Sequence, residues 1–206
     1  MELLYAANPM CSWCWGFAPA MRALRERHPD LRLTVVTGRL GHGDGPMRPK
    51  DKAEVKRHWE HVHERTGQPF DWAFFERDGF VYDTEPPCRA LILVRSAFPA
   101  LAHPFLERLH ERFYERGDDI TDARLLAETA TEFGVGRDTF ERHFKDEKAK
   151  AATLAEWQGT ARIGIGGYPA LLALGAGKPR VVAYGWKPTD EVLAEVASIS
   201  AASSRP

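Results

Sequence analysis

The pattern of apolar and polar positions predicts a strand, a helix and a second strand at the start of the chain. Residues 2–7, ELLYAA, form a short apolar run that ends at an Asn-Pro turn signal. Apolar residues then recur with helical spacing between Trp15 and Leu24. The β-branched segment LRLTVVTG, residues 31–38, follows as a second strand. This order predicts a βαβ unit with a parallel pair of strands.

The central part of the chain is predicted to be helical. A glycine-rich loop at residues 38–49 precedes it, and residues 50–163 carry almost no strand signal. Glycine- and proline-containing turns divide this region into six helical stretches. These stretches are predicted at about 50–65, 87–98, 102–116, 122–133, 137–144 and 146–162.

The last part of the chain returns to strand patterns. The apolar runs GYPALLAL and PRVVAYG flank GAGK and predict a hairpin. KPTDEVLAEVASIS predicts a final helix with Thr189 or Asp190 near its N-cap. A βαβ unit, a helical insertion and a ββα unit are the pieces of a thioredoxin-like α/β fold with a large helical insertion. We therefore predict a discontinuous thioredoxin-like domain at 1–40 and 164–201, with an inserted helical domain at 50–163.

Composition restricts the classes of partner. The 206 residues, 44% of them hydrophobic, suffice for one compact domain or for a domain with a large insertion. A formal net charge of −1 gives no field that attracts nucleic acid. No apolar run reaches the ~18 residues that cross a bilayer, and MELLYAANPM lacks the features of a secretory signal. We expect a cytoplasmic protein with neither nucleic acid nor membrane as partner.

The cysteines provide the candidate chemistry. Three cysteines are too few for a disulfide framework, and Cys11 and Cys14 form a C-x-x-C motif at the predicted start of the first helix. The unpaired N–H groups and positive dipole of a helix start stabilise a thiolate. Such thiols have pKa values of roughly 3.5 to 7.5 against ~8.5 for a free cysteine. Cys11, nearer the helix end, is the predicted nucleophile, and Cys14 is the predicted resolving thiol.

Two other interpretations of the cysteine pair remain open, a reduced buried pair and half of a zinc site. Zinc requires two further ligands, and Cys88 lies mid-chain without a cysteine partner. His58 and His61 are three residues apart on a predicted helix but have no third ligand at a matching spacing. We predict no metal site, a packing role for Cys88, and a solvated side chain for His42 in the glycine-rich loop.

The motifs PMCSWCWGF and GIGGYPAL, on either side of a long helical insertion, resemble the DsbA family. The similarity is greatest to its FrnE-like, signal-less dithiol–disulfide oxidoreductases. It implies that the Tyr168–Pro169 bond is cis, that Pro169 faces the cysteine pair, and that the Tyr168 backbone pairs with an extended substrate. Trp13, Trp15 and Phe17 are expected to complete an aromatic surface there, although Trp15 and Phe17 also fit core positions of the helix. The candidate substrate-binding residues are Trp13, Trp15, Tyr168 and Pro169.

The resemblance also implies the reaction, exchange between the Cys11–Cys14 couple and the thiols or disulfides of proteins or peptides. No cofactor is expected beyond this couple, with glutathione as a candidate redox partner. The dipeptide between the cysteines is Ser12-Trp13, whereas strongly oxidising DsbA proteins have Pro-His and thioredoxins have Gly-Pro. Because a cytosolic dithiol rests in the reduced form, we expect reduction or isomerisation over net oxidation.

Two alternative functions belong to other classes. Kappa-class glutathione transferases and 2-hydroxychromene-2-carboxylate isomerases share the helical insertion. They use a serine at the position of Cys11 and activate the thiol of glutathione. A non-catalytic metal- or client-binding module is the second alternative. The presence of both Cys11 and Cys14 favours thiol–disulfide exchange, because neither the transferase reaction nor the isomerase reaction needs a resolving thiol.

Overall fold

The chain begins with the predicted βαβ unit. β1 (Glu2–Ala7) is followed by α1 (Ser12–Arg27) and β2 (Arg32–Thr37). β1 and β2 pair in parallel over their full lengths, so the segments that follow them begin at the same edge of the sheet. The structure is a computed structural model in which the described residues are 1–41, 45–175 and 177–203.

Six α-helices follow β2, close to the predicted positions. In the segment predicted as one helix at 102–116, the α-helix covers Ala102–His110 and a π-helical turn follows at Glu111–Glu115. A 3-10 helix at Trp72–Glu76 was not predicted from the sequence, because a single short turn has no periodicity to detect. The six helices are α2 (Pro49–Thr66), α3 (Glu85–Ala97), α4 (Ala102–His110), α5 (Ala123–Thr131), α6 (Arg137–Phe144) and α7 (Glu147–Arg162).

The end of the chain completes the sheet as predicted. β3 (Ala170–Leu174) and β4 (Arg180–Tyr184) form the antiparallel hairpin, and α8 (Thr189–Ser203) follows. The sheet has the order β2-β1-β3-β4, with β3 antiparallel to β1. This arrangement confirms the thioredoxin-like α/β class. The division into two domains at the predicted boundaries stays a prediction.

Polar contacts attach the helices to the edge strand β2. The Glu156 carboxylate on α7 accepts hydrogen bonds from the backbone N–H of Thr37 (2.7 Å) and from its hydroxyl (2.8 Å). Arg95 on α3 donates to the carbonyl of Val35 (2.6 Å) and forms an ion pair with Glu156. These contacts fix the carboxyl end of β2, which lies next to the segment that carries the cysteine pair.

An aromatic cluster fills the space between the helices and α1. Trp59 of α2 is fully buried at its centre, and Trp15 of α1 stacks on Tyr114 with an interplanar angle of 8°. The rings whose centroids lie 4.8–5.8 Å from the Trp59 ring belong to Phe70, Phe74, Phe75, Phe113 and Tyr114.

No helix among the described residues combines the length and apolar character needed to cross a bilayer.

Candidate active site

The cysteine pair lies where β1 leads into α1. Cys11 is the N-cap of α1, and its carbonyl accepts hydrogen bonds from the backbone N–H groups of Cys14 (2.9 Å) and Trp15 (3.1 Å). Both thiols are free; Cys11 is 7% exposed and Cys14 is 0% exposed. The thiol at the helix end is therefore the one closer to solvent.

The two thiols differ in acidity in opposite directions. A hydrogen bond from the Cys14 thiol lowers the pKa of Cys11, burial opposes this shift, and the backbone N–H groups of Cys14 and Trp13 add to it. Burial raises the pKa of Cys14 well above its usual range, and the hydrogen bond that it gives to Cys11 adds to the rise. Because the thiolate is the reactive form, these opposite shifts favour ionisation of Cys11 before Cys14.

Asn8 fixes the turn that precedes the pair, a role that sequence reasoning missed. It is fully buried, its amide donates to the carbonyl of Gly38 (2.7 Å), and its side-chain oxygen accepts from the N–H of Met10 (2.8 Å). Its carbonyl accepts from the N–H of Cys11 (3.0 Å). Nε2 of His110 donates to the same carbonyl (3.2 Å), and burial lowers the pKa of His110 to about 4, so its ring is neutral at pH 7.

Tyr168, which precedes Pro169, lies next to Cys11. The Tyr168–Pro169 bond is cis, as the family resemblance implies, and Pro169 is buried at the start of β3. The Cys11 thiol donates to the carbonyl of Tyr168 at 3.6 Å. The Tyr168 ring lies against the backbone of Gly38, where an added Cβ would be 1.5 Å from the hydroxyl oxygen. A glycine at the end of β2 therefore leaves room for the tyrosine side chain.

Gly38→Ala is expected to displace the Tyr168 ring and to weaken substrate use. The new methyl group occupies the position of the hydroxyl, so the ring must rotate away from the cysteine pair. We expect kcat/KM for a peptide disulfide to fall on the order of tenfold, with a small change in thermal stability. Gly41→Ala is the matched control, because a Cβ at Gly41 meets no atom within 4 Å. Equal activity of the two variants would show that the ring position is unimportant.

A cavity of about 190 Å³ opens over Cys11. Trp13 and Arg65 line two neighbouring grooves, and Trp186 lines one of them. The guanidinium of Arg65 lies 5.2 Å from the centre of the Trp186 ring, which favours a cation–π contact. Aromatic side chains thus surround Cys11. The cavity over Cys11 is lined by Met10, Ser12, Trp13, Leu40, Val55, His58, Trp59, Tyr82 and Tyr168.

His58 is a second residue whose position at the site was not predicted. It is exposed on α2 and lines the cavity over Cys11, whereas His61 lines the neighbouring groove with Trp13. Among the described residues, no group of three or more His, Cys, Asp or Glu side chains is placed to hold a metal ion. His42, whose side chain was predicted to be solvated, lies outside the described residues. The HWEHVH pattern signalled these histidines, but only the fold brings His58 to Cys11.

The expectation that Trp15 contacts substrate is corrected by the structure. Trp15 is 3% exposed, its indole N–H donates to the carbonyl of Pro69 (2.9 Å), and its ring stacks on Tyr114. Phe17 is also fully buried, so both side chains belong to the core beneath the site. Cys88 is fully buried as well, which raises its pKa well above the usual range.

Comparisons with known proteins support the same family. The model of the DSBA-like thioredoxin domain matches residues 8–197. A candidate protein disulfide isomerase from Nitrosomonas europaea is 33% identical, with a TM-score of 0.87 over 96% of both chains. The cytosolic disulfide reductase DsbM from Pseudomonas aeruginosa is 24% identical, with a TM-score of 0.79 over 97% of this chain and 99% of that one. DsbM has also been solved with GSH.

One sequence match points elsewhere, to a guanylate kinase from Thermosynechococcus vestitus. It is 31% identical over 150 residues, 58% of this chain and 74% of the kinase. The phosphate-binding loop of such enzymes needs the pattern G-x-x-x-x-G-K-[ST]. The chain's one Gly-Lys pair, Gly177-Lys178, is followed by Pro179, and Leu172 stands at the position of the first glycine. The match therefore gives no support for kinase chemistry.

The family model and the Nitrosomonas structure each extend over more than nine-tenths of the chain. Both include the segment that carries Cys11 and Cys14 and the segment that carries Pro169. The fold, the position of the two thiols at the start of α1 and these matches agree with one another. The chain belongs to the DSBA-like thioredoxin domain family.

Proposed function

We propose that the protein is a dithiol–disulfide oxidoreductase that reduces or isomerises disulfides of proteins and peptides through Cys11 and Cys14. One observation carries this proposal: two free thiols of opposite pKa shift lie at the start of α1, and the backbone carbonyl of Tyr168 lies 3.6 Å from the sulfur of Cys11. A low-pKa thiol beside a protonated, buried partner is the arrangement that two-step disulfide exchange requires.

The reaction proceeds by two exchanges. The Cys11 thiolate attacks one sulfur of the substrate disulfide, a Cys11–substrate bond forms, and the second sulfur leaves with the electron pair and takes a proton from solvent. Cys14 then loses its proton and attacks Cys11, which forms the Cys11–Cys14 disulfide and releases the second thiol. The protein loses two electrons and the substrate gains them. Two equivalents of a thiol return the couple to the dithiol form.

The backbone of Tyr168 positions the substrate in this proposal. Its carbonyl lies at the cysteine and its ring lines the cavity over Cys11. An extended peptide that pairs with this backbone brings its own disulfide to the nucleophile, while Trp13 provides apolar contact area. Tyr168, Pro169 and Trp13 are therefore the proposed substrate-binding residues.

Glutathione is the proposed redox partner, and a reducing compartment such as the cytoplasm is the proposed location. DsbM from P. aeruginosa is named a cytosolic disulfide reductase and has been solved with GSH. A thiol of its own at Cys11 distinguishes the chain from the transferases and isomerases that activate the thiol of glutathione.

Selective alkylation tests the assignment of the nucleophile. At mildly acidic pH, Cys11 is expected to react with iodoacetamide well before Cys14 and Cys88, because its pKa is lowered and theirs are raised. Raising the pH should increase the labelling of Cys11 first. Peptide mass spectrometry after short pulses at several pH values gives the three rates. Labelling of Cys14 at the same rate as Cys11 would contradict the assignment.

A further inference from the structure

A second and larger cavity, about 680 Å³, lies beside the cavity over Cys11. Leu40 and Tyr82 line both, so the two spaces are neighbours at these side chains. The larger cavity lies between the segment after β2, the start of α3 and the exposed face of α7. Its volume is within the range of small-molecule binding sites. We call it the lateral cleft.

Two exposed cations, Arg39 and Lys150, border the lateral cleft. Within the described residues neither forms an ion pair or a side-chain hydrogen bond, although the charge of Lys150 acts on the Glu85 carboxyl. The apolar side chains of Val81, Leu154 and Trp157 lie on the walls. Exposed cations whose N–H groups have no hydrogen-bond acceptor, beside apolar walls, attract an anionic group attached to an apolar body.

An acidic group in the same cleft has one oxygen without a partner. Glu85 is only 8% exposed, and its Oε2 accepts a hydrogen bond from Arg89 (2.9 Å). Oε1 is buried and has no hydrogen-bond partner in the part of the chain that the structure describes. Asp83, which also lines the cleft, accepts from the backbone N–H of Glu85 (2.9 Å) through its side chain. Since a buried polar atom left unpaired is costly, Oε1 is suited to accept an N–H from a bound ligand.

We propose that the lateral cleft is a subsite for the carboxylate-bearing half of a disulfide substrate, such as a glutathionyl group. Its carboxylates pair with Arg39 and Lys150, and an ammonium or amide N–H donates to Oε1 of Glu85. The sulfur of this half then lies past Leu40 and Tyr82, toward Cys11. This inference rests on the proposed function and adds selectivity for anionic thiols. The exchange steps are those already described, with glutathione disulfide as oxidant of the Cys11–Cys14 dithiol.

The test is the oxidation of the pre-reduced protein by three small disulfides that differ in charge. Glutathione disulfide is anionic, hydroxyethyl disulfide is neutral and cystamine is cationic. In the double variant Arg39→Gln/Lys150→Gln, we expect the second-order rate constant for glutathione disulfide to fall roughly tenfold. The rate constant for hydroxyethyl disulfide should not change, and that for cystamine should not fall.

The control is Arg32→Gln/Lys148→Gln, which removes the same charge from exposed positions outside the cleft. Arg32 lies at the opposite end of β2, and this variant should retain all three rate constants. An equal loss for all three disulfides in the cleft variant, or no loss for glutathione disulfide, would overturn the subsite. Failure of the unmodified protein to react with any of the three would instead reject the proposed function.

Discussion

Cys11→Ser is expected to abolish disulfide exchange, with a loss of activity on the order of a thousandfold or more. A serine hydroxyl stays protonated at neutral pH and cannot replace the low-pKa thiolate that attacks the substrate disulfide. Cys14→Ser is expected to lose turnover as well, but for another reason. Its Cys11 still attacks, and without a resolving thiol the mixed disulfide with substrate accumulates.

The two variants are distinguished by what they trap. Incubation with an oxidised peptide, followed by acid quenching and non-reducing mass spectrometry, should reveal the covalent adduct in Cys14→Ser and none in Cys11→Ser. Cys88→Ser is the matched control, because Cys88 is fully buried and its serine can still accept from the amide of Asn8. Turnover that survives Cys11→Ser, or an adduct on Cys88, would be incompatible with the mechanism.

Trp59→Ala is expected to cause the largest loss of stability, about 3–5 kcal/mol in the free energy of unfolding. The indole is fully buried and is surrounded by five aromatic rings at centroid distances of 4.8–5.8 Å. Truncation leaves a cavity next to Tyr114, on which Trp15 stacks. Trp59 also lines the cavity over Cys11. The molecules of the variant that remain folded should therefore also be less active than the unmodified protein.

Urea unfolding followed by far-UV circular dichroism measures this loss of stability. Trp72→Ala serves as control. The centroid of the Trp72 ring lies 6.3 Å from that of Trp59, but the Trp72 side chain is 37% exposed. Trp72→Ala should cost no more than about 1 kcal/mol, since an exposed side chain loses less burial on truncation. Similar losses in the two variants would show that Trp59 does not form the centre of the cluster.

The local patterns of the chain predicted the elements and the place of the cysteine pair. The periodicity after Asn-Pro set the start of α1 at the cysteines, and the fold class and the family prediction are confirmed. The sequence left two positions open for Trp15, the core and the aromatic surface of the site, because helical spacing alone does not tell which face meets Tyr114, about a hundred residues later. Asn8 and His58 escaped prediction for a similar reason. Their partners, Gly38 and the Cys11 cavity, are brought near only by long-range packing.

We expect the unequal burial of the two thiols also to determine how the protein responds to peroxide. Peroxide reacts fastest with the more accessible and more acidic thiol, so we expect a sulfenic acid at Cys11, which is less buried than Cys14 and has the lowered pKa. Cys14 is shielded from the oxidant yet lies within hydrogen-bond reach of Cys11, so it condenses with the sulfenic acid, releases water and forms the disulfide. A disulfide, which thiols can reduce again, then forms in place of the irreversible sulfinic and sulfonic acids. The geometry that orders the two proposed exchange steps is therefore also expected to protect Cys11 from permanent damage.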